Sequence, residues 1–184
     1  MSLALLVILI ISYYLIPTVY NKSLIQIEVK NQIFKKYKID VKFNTKIKYG
    51  LLPKPHFVTK NLSILRNNKE IAVVKNFKVN VKGNNFFLSK GIKFTDLIFN
   101  GGDFNIYQED LIFFKELLKI EPSENKIVFK NSNIFFKDKN DDILFINKIK
   151  KSEFYYDSYN LENVLKSKNE IFNVPYKLII KNDK

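Results

Sequence analysis

The sequence predicts a mainly β protein: an N-terminal transmembrane helix followed by an antiparallel sheet with one or two short helices. Three observations carry that expectation. Residues Leu3–Tyr20 form an apolar run without a charge. Beyond it the hydrophobic period is first helical and then strictly two. Turn-forming clusters then recur at strand-like intervals of roughly 8–12 residues, the spacing of an antiparallel sheet or sandwich rather than of βαβ units.

The first element, residues 1–21, reads as a signal anchor. An 18-residue helix rising about 1.5 Å per residue can just span a hydrocarbon core of roughly 30 Å. Tyr13, Tyr14 and Tyr20 stand toward its far end, where amphipathic rings favour the membrane interface. A cleaved signal peptide is the rival. Met1 and Ser2 supply no positive n-region and the exit IPTVYNKSL has no small-x-small cleavage pattern, so an uncleaved anchor is expected. Lys22, Lys30, Lys35, Lys36 and Lys38 follow it, yet long domains cross regardless of charge, so these lysines do not fix the topology.

Residues 22–38 form the second element. Ile25, Val29, Ile33 and Tyr37 recur at i+4 steps among lysines, which predicts an amphipathic helix. Residues 39–184 form the third, a β domain without an internal boundary. Ile39, Val41, Phe43, Ile47 and Tyr49 alternate with Asp40, Lys42, Asn44, Lys46 and Lys48, placing the apolar groups on one face. The alternation returns in Phe77-Val79-Val81, Ile92-Phe94, Phe104-Ile106 and Ile127-Phe129, and further strands are expected at Asn133–Lys137, Ile143–Ile146, Ser152–Asp157 and Pro175–Lys181. Turns are expected at Lys82–Asn85, Asn100–Asp103 and Lys137–Asp142. Short helices are expected at Glu109–Lys119, ahead of Pro122, and over Leu161–Ser167.

Composition excludes much chemistry. The 184 residues contain no Cys and one His, His56, so thiolate and His-pair metal sites are absent and no metal or other cofactor is expected. The five glycines never approach a phosphate-loop spacing. Glu109-Asp110 and Asp141-Asp142 fall at a helix start and in a polar turn, where capping and solvation account for them; His56 reads as an exposed loop residue. No catalytic residue is expected, and the protein reads as no enzyme. Asn21-Lys22-Ser23 and Asn61-Leu62-Ser63 match the glycosylation sequon, a match of little weight in a chain with 22 Asn. The net charge of +13 invites a nucleic-acid partner, but 30 of the 31 basic residues are Lys, and base readers lean on the planar fork of Arg. Nucleic acid is therefore not the expected partner. Lys, Asn, Ile and Phe enriched together also look like a low-GC coding bias, and the lysines on alternate strand positions read as the hydrated side of a sheet.

One stretch is more specific. Ile47–Phe57 (IKYGLLPKPHF), followed by Asn61-Leu62-Ser63-Ile64, closes a strand with a rigid P-x-P corner, since each Pro fixes φ and biases its predecessor to extended geometry. With the anchor, the amphipathic helix, IDVKFNTKIKYG and IAVVKNFKVNV, this stretch resembles the N-terminal region of the bacterial AsmA-like family, and Asn105-Ile106-Tyr107 and Ile171–Leu178 resemble its recurring strands. Pro53, Pro55, Asn61 and Leu62 are the structural motif of the resemblance. Family members are generally much longer, so the resemblance implies a fragment or a reduced version. It further implies that the antiparallel sheet is a curved, groove-like one, anchored in the inner membrane by a single pass, with the bulk of the chain in the periplasm. Such a groove shields or transfers phospholipid toward the outer membrane, with envelope proteins as partners. The side chains expected to face lipid are Val41, Phe43, Ile47, Phe77, Val79, Val81, Phe94, Phe104 and Ile106. The other reading is a non-catalytic structural or interaction domain whose sheet seals an ordinary core and whose basic face docks a protein or an anionic membrane surface.

Overall fold

The structure is a computed structural model that describes residues 3–66, 68–83, 92–112 and 125–183. Helix α1 (Leu3–Leu15) runs into a 3-10 turn (Ile16–Val19), and α2 (Lys22–Tyr37) follows. Asn21 caps α2: its side-chain oxygen accepts from Ser23 N at 3.0 Å and Leu24 N at 3.3 Å, satisfying amides that lack a helical partner. At the other end Lys38 adopts φ 55° and donates its amide to the Phe34 carbonyl, while Lys35 and Lys36 complement the negative end of the helix dipole. The residues predicted to form the inward stripe, Ile25, Val29, Ile33 and Tyr37, are the buried residues of this helix.

Among the described residues, nine strands make one mixed, mainly antiparallel sheet: β1 (Asp40–Phe43), β2 (Lys48–Gly50), β3 (His56–Arg66), β4 (Lys69–Val81), β5 (Phe94–Tyr107), β6 (Ile127–Lys137), β7 (Ile143–Asp157), β8 (Glu162–Ile171) and β9 (Val174–Asp183). Their order is β1-β3-β4-β5-β6-β7-β8-β9, with β2 also on β3. Every pair is antiparallel except β5–β6, which is parallel. A parallel pair needs a return connection. It falls on residues 108–126, of which 113–124 lie outside the described residues.

Several sequence expectations change here. The strand expected over Ile39–Tyr49 is two strands, broken at residues 44–47, where Thr45 turns in to bond Thr59 and the Lys60 backbone. Ile127–Phe129 with Asn133–Lys137, and Ile143–Ile146 with Ser152–Asp157, are two long strands rather than four short ones. Asn100–Asp103 is no turn. Asn100 and Asp103 stay paired on both sides, and Gly101 takes φ 71° inside the strand with no shift of register against either neighbour. Leu161–Ser167 is no helix: a turn ends at Leu161 and β8 begins, its pairing with β7 and β9 overriding the helical spacing of Leu161, Val164 and Leu165. Of the helix expected at Glu109–Lys119, Gln108–Asp110 forms a 3-10 turn and residues 113–119 lie outside the described residues, as do Asn84 and Asn85 of an expected turn. His56 is not a loop residue; it opens β3, paired with Gly50 and Asn80. The turn at Lys137–Asp142 stands, closed by bonds between Asp138 and the Asn140, Asp141 and Asp142 backbone.

Among the described residues no single helix is long and apolar enough to cross a membrane. The pair Leu3–Val19 and Lys22–Tyr37, bent by 83° at its break, passes by length and composition together.

Candidate functional site

Register arranges the alternating residues into rows that cross the sheet, since paired residues share a face. One row reads Tyr49–Phe57–Val79–Leu97–Ile127–Phe154–Leu165–Ile180 through eight strands, with the Tyr49 hydroxyl at its first end its one polar atom outside the backbone. The next reads Thr59–Phe77–Phe99–Phe129–Ser152–Ser167–Leu178. Phenylalanines stack along it, Phe77 to Phe99 at 4.9 Å and Phe99 to Phe129 at 5.2 Å, with Phe43 and Phe104 edge-on at the two ends. Each such pair contributes about 0.5–1.5 kcal/mol beyond the area it buries.

A crease separates these rows from the rest of the apolar face. Asn61 (φ 53°), Gly101 (φ 71°) and Asn131 (φ 46°) stand just beyond Lys60, Asn100 and Lys130, which belong to one register row. In β3 and β5 the inward positions therefore jump by three residues, from Thr59 to Leu62 and from Phe99 to Gly102. Beyond the crease the apolar face resumes with Val41–Ile64–Ala72–Phe104–Ile134.

The first half of this face is closed. The inward stripe of α2 joins one buried cluster with residues of β1 to β5, and β6 packs at its margin. Eight of the nine side chains expected to face lipid, Val41, Ile47, Phe77, Val79, Val81, Phe94, Phe104 and Ile106, lie buried in that cluster. Phe43 packs against it half-buried. The structure brings all nine together, as the interior beneath α2 rather than as an open surface. From β6 outward the same face is only partly covered among the described residues. Ile127, Phe129, Phe154, Leu165 and Ile180 are half-buried, and Leu178 is 38% exposed. Alternation in Ser152–Asp157 and Pro175–Lys181 signals these positions, but only the register shows that they continue the rows of Phe57 and Phe77.

The motif residues are placed by the β2–β3 connection. Pro53, on a cis peptide, and Pro55 turn the chain between the paired strands, and the Pro55 carbonyl accepts from Val81 N at 3.0 Å. Asn61 is the first crease residue, and Leu62, fully buried, pairs with Phe43 and Val74.

Where α2 ends, Val29, Ile33, Tyr37, Phe94 and Leu97 line a cavity with Lys35 and Lys36. Burial holds the Lys36 ammonium below its usual range. On the opposite face the crease row carries lysines in direct register: Lys130, Lys151, Lys168 and Lys177 on four adjacent strands. Strands about 4.8 Å apart set these charges close together. Glu153 bridges Lys151 at 2.9 Å. Burial, and then the charge of Lys130, lowers the Lys78 ammonium.

Acidic groups sit at the far ends of strands. Asp110 accepts from Arg66 and, at 2.9 Å, from the Tyr107 amide, the capping role expected of it. The Tyr107 hydroxyl donates to Asp141, a bond that raises the phenol and lowers the carboxyl, while Lys69 lies 3.9 Å over the Tyr107 ring. Among the described residues no three His, Asp or Glu side chains converge as a metal site. No family model matches the chain, and no curated protein matches it significantly.

Proposed function

We propose that this chain is a membrane-anchored, non-catalytic protein of the AsmA-like type that shields or transfers phospholipid between the inner and outer membranes. One observation carries the reading: an apolar row unbroken across eight strands, of which α2 covers only the first part. An ordinary two-layer domain needs its apolar face covered throughout. A face that continues half-exposed over four strands suits acyl chains, which bind apolar surface without demanding hydrogen bonds. The acyl-facing residues in this reading are Phe129, Phe154, Leu165, Leu178 and Ile180, and the cluster around Val79 serves as the scaffold.

The anchor in this reading is Leu3–Val19, which carries no charge. Its α-helical and 3-10 turns rise roughly 28 Å together, close to a hydrocarbon core. The bulk of the chain lies in the periplasm, beside envelope partners. A photo-crosslinker at Phe154 or Leu165 in the full chain is expected to capture phospholipid, and one at Val79, beneath α2, to capture little. Lipid-free protein with no adduct at either open position overturns the reading.

The row Lys130–Lys151–Lys168–Lys177 favours the second reading, an interaction domain that docks an acidic protein or an anionic membrane surface. There the protein purifies free of lipid and melts cooperatively whether or not lipid is added.

A further inference from the structure

We infer that the outward face of α2 lies in the interfacial plane of the bilayer that α1 enters, so that α2 is held between the sheet and anionic lipid headgroups. The inference rests on the membrane-anchor reading and goes beyond it. Helix α2 has two apolar stripes. Ile25, Val29, Ile33 and Tyr37 turn into the sheet. Leu24, Ile27 and Phe34, at i, i+3 and i+10, turn away from it, since steps of about 100° per residue set them about 120–160° from the centre of the buried stripe. They are 54%, 54% and 53% exposed. Three large apolar groups aligned on the outer face of a lysine-rich helix cost solubility unless something apolar receives them.

Three observations name the receiver. The two helices are bent by 83°, so an α1 set along the bilayer normal leaves α2 nearly in the membrane plane. Residues Leu3–Ser12 of α1 are all exposed, and only its last turn, at Tyr13 and Tyr14, packs against the domain, so most of its apolar length projects from the fold just ahead of α2. Charge matches as well: Lys22, Lys35 and Lys38 are exposed along α2 and at its C-terminal cap, Lys30 pairs with Asp40 at 3.1 Å, and the one acid of the helix, Glu28, accepts from Gln32 at 2.7 Å. A helix with a basic polar surround and Leu, Ile and Phe on one face is the pattern that seats at the headgroup–acyl boundary, more strongly on anionic lipid. A protein partner would need a separate reason for the right-angle bend.

The chain contains no cysteine, so single cysteines can carry a probe without background. The experiment places an environment-sensitive fluorophore at Leu24, Ile27, Phe34, Ile8 in α1, or Ile179 in β9. The full chain is then reconstituted in phosphatidylcholine vesicles with or without phosphatidylglycerol, and with spin-labelled lipid as quencher. The expected result is a blue-shifted, shallowly quenched signal at Leu24, Ile27 and Phe34 that strengthens with phosphatidylglycerol, deep quenching at Ile8, and an aqueous signal at Ile179. Deep quenching at Ile8 with aqueous signals at all three α2 positions overturns the inference and leaves the anchor standing. Aqueous signals at Ile8 and at the α2 positions overturn both. Quenching at Ile179 as strong as at Phe34 shows general adsorption and overturns the assigned orientation.

Discussion

The Tyr49 hydroxyl donates a 2.8 Å hydrogen bond to the backbone carbonyl of Tyr14, tying the end of α1 to β2. Burial, reinforced by the phenols of Tyr14 and Tyr20, pushes the Tyr49 pKa up to about 12. The folded state therefore holds the phenol proton more tightly than the unfolded chain, whose tyrosine titrates near 10. The stability this bond contributes is whole below about pH 10 and declines as pH rises toward about 12. Thermal melts across that range are expected to show a shallower alkaline decline in Tyr49→Phe than in the wild type. At neutral pH the variant loses about 1 kcal/mol, the net worth of one hydrogen bond. Equal alkaline slopes in the two proteins contradict the assignment.

Phe77 has no exposed surface and packs between the edge-on ring of Phe43 and the tilted ring of Phe99. Truncation to Ala is expected to cost about 3–5 kcal/mol, because the rigid cluster relaxes little around the cavity. Phe154→Ala, on the half-covered part of the same face, is expected to cost clearly less. Chemical denaturation of both variants tests the contrast, and similar losses would mean that the outer half of the face is sealed as tightly as the inner.

Lys168 lies directly between Lys151 and Lys177. Like charges opposite one another destabilise a sheet, and opposite charges stabilise it by roughly 0.2–1 kcal/mol per pair. Lys168→Glu is therefore expected to raise Tm at low salt. The wild type is expected to gain stability as ionic strength rises from 0.01 to about 0.15 M, where the screening length shrinks to about 8 Å, and the variant to gain less. A variant less stable than the wild type at low salt would count against repulsion along this row.

Gly101 holds φ 71°, and a Cβ there meets the Lys75 side chain at 3.1 Å, a flexible neighbour that can shift. Backbone conformation, not space, is the stronger constraint. Asn61 and Asn131 adopt the same sign of φ on nearby strands of the crease. Gly101→Asn is expected to fold with little loss, and Gly101→Val to lose at least about 1–2 kcal/mol, since a β-branched side chain resists the left-handed region. Circular dichroism melts separate the two; equal stability would remove the crease as a conformational requirement.

What the sequence makes legible follows from periodicity. The four buried residues of α2 stand at i+4 steps, and no other arrangement of them makes one face. The alternation around Phe77-Val79-Val81 likewise fixes which side of β4 is inward. The crease is not legible, because Asn100-Gly101-Gly102-Asp103 carries the chemistry of a turn; only its pairing to Asn76, Lys130, Val73 and Asn133 makes it part of a strand. Nor can alternation tell a sealed core from an open face. The residues expected to meet lipid are apolar for the reason expected, but the α2 stripe reaches them first, and the half-covered surface passes to Phe154 and Leu165, whose place depends on partners in β6 to β9.

The parallel β5–β6 pair divides the sheet into two up-and-down meanders, β1–β5 and β6–β9. Within each, consecutive paired strands can zip outward from a hairpin end, where the nearest partners stand 3 to 13 residues apart, as Arg66 with Lys69 and Val81 with Phe94 do. Across the seam the bonded partners stand 30 residues apart, as Gly102 with Ser132 and Asp103 with Asn133 do. Loop-closure entropy must be overcome there before any contact rewards it. The two meanders therefore act as separate kinetic units: each can form early on local contacts, and docking the edge of β5 against β6 is the late, slow event. Seam substitutions such as Ser132→Ala should slow refolding more than equally destabilising changes inside either meander.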